Sequence, residues 1–488
     1  MKKILVVFIF LLLALVTDSF ADSPRVMKAG FVVQNGSNEE ATVAIYFYNP
    51  DGSEAHHITQ TLASSSSSLI DLDAIDELTP GWSGSAVISS DNVLAGAGWA
   101  ETFSKYGRPE GMGWYNLPGA GYTPVYVPLI RNNPANGFEF NLWIQNAGSA
   151  DAAVTVTYYA LGGGSSSSTC PDLTPGASLD SINSCSPSLP DPFVGSAVVS
   201  SNQPVVVVAN QSNPAKMTEC LYNGIPGSGA DEELFFPIVQ NNYQGWYSSF
   251  TVQNMGTSTA QGNFNYYSDC GSATCALVDS LPSDSITPGY GYVFTPVTSP
   301  FSGYGKFVTT SGQTFGSVAS VWNDPAKAGY CYNGFGGGIS YPVPEESTWY
   351  VPGVNSDSRI VVKNTNESTG GTVTVSWLGL SAQQTVVLSA NGKQVITPAV
   401  PAGWSGSAKI EATTALPLAI VVQNVQPGGN DRGAYKAYGQ DMGVTNLFVT
   451  QRGAMYLYVP RVRKAQQFLS TIWKVYNPAI LKGAKGEE

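Results

Sequence analysis

The sequence predicts an all-β protein of four tandem Ig-like β-sandwich domains, and three observations predict it. An apolar segment ending in asparagine recurs as FVVQN, LWIQN, FTVQN and IVVKN, closing at Asn35, Asn146, Asn254 and Asn364, which lie 111, 108 and 110 residues apart. Self-similarity at a fixed period marks a tandem array. Charged residues make up only 12% of the chain, too few for the wet faces of long amphipathic helices. Alternating apolar and polar positions follow each marker, the period of a half-buried strand.

The elements of one unit follow in order. After each asparagine comes a small polar turn (GSNEE, AGSAD, MGTST, TNEST), then an alternating strand: TVAIYFY, AVTVTYY, GNFNYY, TVTVSWL. A variable middle leads to two strands around a short polar turn, as in WSGSAVISSDNVLAGAGW from Trp82 and VGSAVVSSNQPVVVVANQ from Val194. That is hairpin chemistry. Tyr-Asn follows at Tyr115-Asn116, Tyr222-Asn223 and Tyr332-Asn333, with Tyr438-Gly439 as the nearest counterpart in the fourth copy. A Gly-rich connector leads to an aromatic-X-Pro strand that opens the next unit, at Tyr126-Val127-Pro128, Phe235-Phe236-Pro237 and Tyr350-Val351-Pro352.

About seven short strands per ~100 residues suit two packed antiparallel sheets. A β-propeller-like arrangement is the alternative, although propeller blades repeat at ~40–50 residues. The boundaries read as 1–21 leader, 22–124, 125–233, 234–346 and 347–456 for the four units, and 457–488 as a partial fifth copy with a basic tail.

Residues 1–21 carry Lys2 and Lys3, an apolar run and the small pair Ser19 and Ala21, which is the pattern of a cleaved signal peptide. The expected location is secreted or at the cell surface, with no membrane span after cleavage. Six cysteines, Cys170, Cys185, Cys220, Cys270, Cys275 and Cys331, then imply disulfides. The local pairs Cys170–Cys185 and Cys270–Cys275 are expected, leaving Cys220 and Cys331. The chain is acidic, with a net charge of −12, and phosphate repels such a surface, so nucleic acid is an unexpected partner.

The strings GSAVVSSNQPVVVVANQ, CLYNGIPGSG and FFPIVQNNYQGWYSSFTVQN resemble tandem repeats of secreted and cell-surface bacterial proteins, notably Chloroflexi-like ones. The resemblance covers most of Phe31 to Pro460. It implies a bacterial, extracellular, repetitive protein and implies no ligand.

No catalytic set stands out. The histidines, His56 and His57, are adjacent, so on a strand they point to opposite faces. GWSGS at Trp82 and Trp404 leads into a strand and recurs as a turn framework, unlike a nucleophile elbow. Asp71, Asp73 and Asp76 offer oxygens for Ca²⁺ but lack the EF-hand's glycine spacing; a solvated strand end is the plainer account. Trp246 and Tyr247 are candidates for stacking on a sugar, against ordinary packing.

The chain ends carry one more expectation. Tyr458-Val459-Pro460 begins another copy, whereas the first unit has no such strand before FVVQN. An unfilled sheet edge invites strand donation, and the tail of one molecule filling the first unit of the next would build a fibre. The expected function is a non-enzymatic structural or adhesive surface protein whose partner is a cell-surface component, a glycan or another copy of itself. An extracellular carbohydrate-binding array and a glycoside hydrolase or other extracellular hydrolase are the alternatives.

Overall fold

The computed structural model describes residues 26–103, 109–216, 218–269, 275–336, 347–413, 416–425, 432–439 and 455–463. The leader and the LSTIWKVYN stretch lie outside them.

The chain is all-β, and its strands form several antiparallel sheets arranged as β-sandwiches. The second unit shows the pattern. One sheet runs Ser165–Thr169, Val154–Ala160, Phe193–Ser201, Val125–Asn132, Ile225–Pro226 in hydrogen-bonded order; the other runs Ser178–Asp180, Glu139–Asn146, Val205–Asn213, Thr218–Asn223. The fourth unit repeats this order from Ser347–Asn355 to Tyr438–Gly439. In the third unit a tight turn at Gly245, with φ 81°, pairs the ends of Glu233–Tyr243 and Trp246–Asn254 and so joins the two sheets.

The alternating strands bury one face as their period requires. Val43, Ile45 and Phe47 are fully buried, and so are Val154, Val156 and Tyr158. The asparagine closing each FVVQN-type strand is also fully buried. Its amide donates to two or more main-chain carbonyls, for Asn146 those of Ala150 at 2.8 Å and Leu173 at 2.7 Å. Its oxygen accepts the N–H two residues on, at Ser37, Gly148, Gly256 and Asn366. The marker is therefore an Asx turn that ties the strand end to the neighbouring loop.

The proline of each aromatic-X-Pro strand sits in a β-bulge. Pairing with the neighbouring strand runs to Val127, Phe236, Val351 and Val459 and resumes at Ile130, Val239, Val354 and Val462. Proline brings no N–H to a ladder, so a bulge is where a strand tolerates it. The residue after the proline then has its own N–H and C=O out of the ladder, and the tyrosine of Tyr-Asn satisfies them. Tyr222 Oη accepts from Leu129 N and donates to Leu129 O; Tyr332 does the same for Ile238 at 3.2 and 3.0 Å. In the fourth unit this tyrosine is Tyr435, bonded to Gly353. Tyr438-Gly439 is thus not the counterpart of Tyr-Asn. It forms the short strand that pairs with Trp349 and Tyr350, as Ile225–Pro226 pairs with Val125 and Tyr126. The true counterpart of Tyr-Asn is Tyr435-Lys436, three residues earlier, and the aromatic at Tyr438 hides it in the sequence.

The sequence assigns Tyr458-Val459-Pro460 to a fifth copy. In the structure Met455–Arg463 pairs with Ser83–Ser90 of the first unit and completes the sheet Glu54–Leu62, Ala41–Tyr48, Ser83–Ser90, Met455–Arg463. The edge that strand donation between molecules would fill is filled within one chain. Val459 is fully buried and belongs to the first unit's core together with Ile88 and Phe47.

The four units close around an axis. The Tyr-Asn strands Pro109–Asn116, Thr218–Asn223, Ala328–Asn333 and Arg432–Lys436 each touch the next, and the last touches the first. The arrangement has a propeller's circular order, yet each member is a two-sheet sandwich.

Candidate functional site

The joints between units use the residues that recur most regularly. Gln145 donates to Ala86 O of the first unit at 3.3 Å, Gln253 to Ala197 O of the second at 3.0 Å, and Gln34 to Ala408 O of the fourth at 3.2 Å. In the opposite sense Ser85 donates to Gly176 O at 2.6 Å, Ser196 to Gly289 O at 2.7 Å and Ser407 to Ser67 Oγ at 2.9 Å. These serines belong to the Gly-Ser-Ala triplets. The glycine before Ser196 lies so close to Tyr159 O that a Cβ would stand 2.0 Å from it, so the triplet packs against its own sheet while its serine reaches the next unit.

The joint from third to fourth unit departs from this rule. Lys363 replaces the glutamine, Tyr304 the serine, and Asn391 lies between them. Lys363 is fully buried, and its ammonium donates to Asn364 O at 2.7 Å and Asn391 O at 2.6 Å and sits 3.9 Å from the centre of the Tyr304 ring. Asn391 donates to Tyr304 Oη at 2.6 Å. Burial, helped by the nearby Lys393 charge, lowers the Lys363 pKa to about 7. Lys393–Asp269 at 2.5 Å and Lys306–Glu367 at 3.0 Å add charge pairs across the same joint.

At the axis, the Tyr-Asn asparagines link the four strands. Asn223 donates to Asn116 O at 2.8 Å and accepts from Asn116 N at 3.1 Å. Asn333 makes the same pair with Asn223, at 2.8 and 3.2 Å, and Asn116 with Lys436. Lys436 ends the series, because an ammonium cannot accept. Its Nζ donates to Gly334 O at 3.2 Å and lies 4.3 Å from the Phe335 ring centre. Cys220–Cys331 crosses between the axial strands of the second and third units, and Cys170–Cys185 is formed within the second. Cys275 is disulfide-bonded, and Cys270 lies outside the described residues.

Among the described residues, cavities accompany these joints, and two of them bear on function. One, of about 700 Å³, lies between the first and second units. Glu110, Glu139 and Glu219 line it with Asn132, Asn141 and Asn210, beside the apolar Phe140, Ile182 and Leu189. Glu219 is buried; it accepts from Thr102 Oγ at 2.6 Å and from the Asn210 amide at 3.0 Å. Behind it Glu101 is buried, with its pKa raised to about 7 by burial. The second cavity, of about 230 Å³, opens where the axial strands end and is mostly apolar.

The other candidate residues fall as follows. Trp246 is buried against Tyr330, with ring centres 5.9 Å apart. Tyr247 is half-buried and lies 6.1 Å from Trp322, the rings 21° from parallel. The structure separates the pair, one ring in the core and one on the surface. Asp71 caps a short 3₁₀ turn by accepting from Asp73 N at 3.0 Å, and Asp73 pairs with Lys28 at 2.6 Å. Among the described residues no group of three His, Cys, Asp or Glu side chains is placed to hold a metal ion. His57 meets Glu54 at 2.8 Å, and His56 lies 3.9 Å from Glu77. Among the described residues no helix is long and apolar enough to cross a membrane.

Sequence reasoning missed Lys436, Glu219 and Asn210. The signal for Lys436 was a departure from an otherwise repeated asparagine, legible only in the right register. Glu219 and Asn210 lie on adjacent strands of the second unit, and no sequence pattern marks them.

No family model matches this chain, and no curated protein does. Among solved structures, a chain of the infectious bursal disease virus Gx strain aligns with 95% of this chain and 91% of its own length at 8% identity, with a TM-score of 0.12. A likeness that low carries no argument about fold or function.

Proposed function

We propose that this protein is a non-enzymatic extracellular scaffold, structural or adhesive, in which four sandwich units are locked into one rigid ring. The observation that carries this is the cis closure by Met455–Arg463, seconded by the Gln and Ser bonds at three of the four joints. The residues that repeat most faithfully are consumed by turns, bulges and joints. What remains to vary is the outer surface and the clefts, which is the division of labour of a display scaffold. The disulfides Cys170–Cys185 and Cys220–Cys331 suit an oxidising compartment.

Size measurement tests the scaffold. The chain from Asp22 to Glu488 is expected to sediment as a compact monomer at high concentration. A version ending before Met455 leaves Ser83–Ser90 as an open edge and is expected to associate, and a synthetic Met455–Arg463 peptide should reverse that. Fibres from the full chain would refute cis closure and restore donation between molecules.

A second reading, carbohydrate binding, is favoured by the cleft between the first and second units, where carboxylates and amides stand beside apolar side chains. Sugar sites combine such groups. A glycan array with Asn210→Ala and Tyr247→Ala as controls tests it: binding lost only in Asn210→Ala places the sugar in the cleft, and loss only in Tyr247→Ala places it on the outer aromatic pair. Absence of any glycan signal rejects this reading.

A further inference from the structure

We propose that the cavity at the axial end of the ring binds a small apolar molecule ending in a carboxylate, with Lys436 pairing to the acid. The site is distinct from the cleft discussed above and goes beyond the scaffold role.

The walls set the first half of the ligand. Val125, Val205, Val207, Ile225 and Leu234 line the cavity, and its volume of about 230 Å³ falls below the ~300–1,000 Å³ of drug-sized pockets. The occupant is therefore short and largely hydrocarbon.

The polar groups set the second half. Ser317 is buried, and among the described residues neither its hydroxyl nor the Tyr122 phenol has a hydrogen-bond partner. Both line this cavity together with Lys436. Burial pushes the Tyr122 pKa up to about 12, so its phenol stays a donor at neutral pH. No Asp or Glu is among the described residues lining the cavity. An ammonium and two hydroxyls with no facing carboxylate call for a ligand that supplies acceptors. An unpaired polar group in such a place is costly.

Lys436 supplies the sharpest reason. At its position the other three units carry an asparagine that closes two hydrogen bonds to the neighbouring strand. Lysine forfeits the accepting half of that pair. Among the described residues its ammonium has one hydrogen-bond acceptor, Gly334 O, and one ring face, Phe335, although it carries three N–H donors. Burial lowers its pKa to about 8, which still leaves it mostly charged at pH 7. A carboxylate offers the missing acceptors in a charge-assisted bond. A neutral ligand would leave the charge unanswered, and a cation would be repelled.

The test uses the chain from Asp22 to Glu488 and three probes of one shape: octanoate, octan-1-ol and octylamine, titrated calorimetrically at pH 7. Octanoate is expected to bind at least ~10-fold more tightly than octanol, the scale of one charge-assisted hydrogen bond, and octylamine not at all. Lys436→Asn restores the residue of the other three units, so it should keep the fold and lose the preference for octanoate over octanol. Ser317→Ala leaves the axial ring untouched and should weaken octanoate several-fold. Equal binding of octanoate and octanol, no octanoate binding, or an unchanged preference in Lys436→Asn would each overturn the proposal. Should Lys436→Asn fail to fold, undiminished octanoate affinity in Ser317→Ala overturns it instead.

Discussion

Replacing the bulge-locking tyrosines by phenylalanine tests the logic of the repeat, because one chemical change is expected to cost one of three copies more than the other two. Each substitution removes only a buried hydroxyl. In the second unit Tyr222→Phe leaves Leu129 N–H without its acceptor, while Leu129 O keeps the Gln211 amide at 2.8 Å. In the fourth unit Gly353 O likewise keeps the Asn424 amide at 3.0 Å. In the third unit Ile238 has only Tyr332 among the described residues, so Tyr332→Phe strands both the N–H and the C=O. An orphaned buried group costs about 1–3 kcal/mol. The expected losses are therefore about 1–3 kcal/mol for Tyr222→Phe and Tyr435→Phe, and about twice that for Tyr332→Phe. Urea unfolding followed by tryptophan fluorescence reads the midpoints, and an unchanged slope shows that only stability moved. A Tyr332→Phe loss no larger than that of Tyr222→Phe would refute the account of the bulge.

Three further outcomes follow from the joints and the axis. Asn223→Ala breaks both bonds to Asn116 and should cost about 1–3 kcal/mol in thermal or urea unfolding. Lys363→Gln and Tyr304→Ser, which bring the deviant joint back to the common pattern, should be strongly non-additive in a double-mutant cycle, coupled by ~0.5–3 kcal/mol as touching residues are; strict additivity would show that the two do not act as one joint. Glu101 binds a proton more tightly folded than unfolded, since its pKa is raised from 4.5 to about 7. Its contribution is thus fully present below about pH 4.5 and is lost as pH rises through 7. Glu101→Gln should accordingly flatten the decline in stability between pH 5 and 8, and a pH profile identical to that of the unchanged chain would contradict the burial of this carboxyl.

The sequence by itself determined the unit and its count. Alternation in TVAIYFY and its counterparts specifies strands with one buried face, because side-chain direction in a strand has period two. The apolar segment closing at Asn35, Asn146, Asn254 and Asn364 recurs at about 110 residues and specifies four copies, and Gly-Ser-Ala and Tyr-Asn each recur in three of them. The tertiary structure alone decided what the repeats do to one another. Whether Tyr458-Val459-Pro460 fills the first unit of its own chain or of another depends on where the two ends meet in space, and the pattern of either end is the same in both cases. The partners of Gln34, Gln145 and Gln253 lie 374, 59 and 56 residues away, so no local pattern points to them. Lys436 shows the limit most plainly. An aromatic three residues downstream imitates the tyrosine that anchors the alignment, and only the bond from Tyr435 to Gly353 shows which tyrosine faces the bulge and which residue stands at the axis.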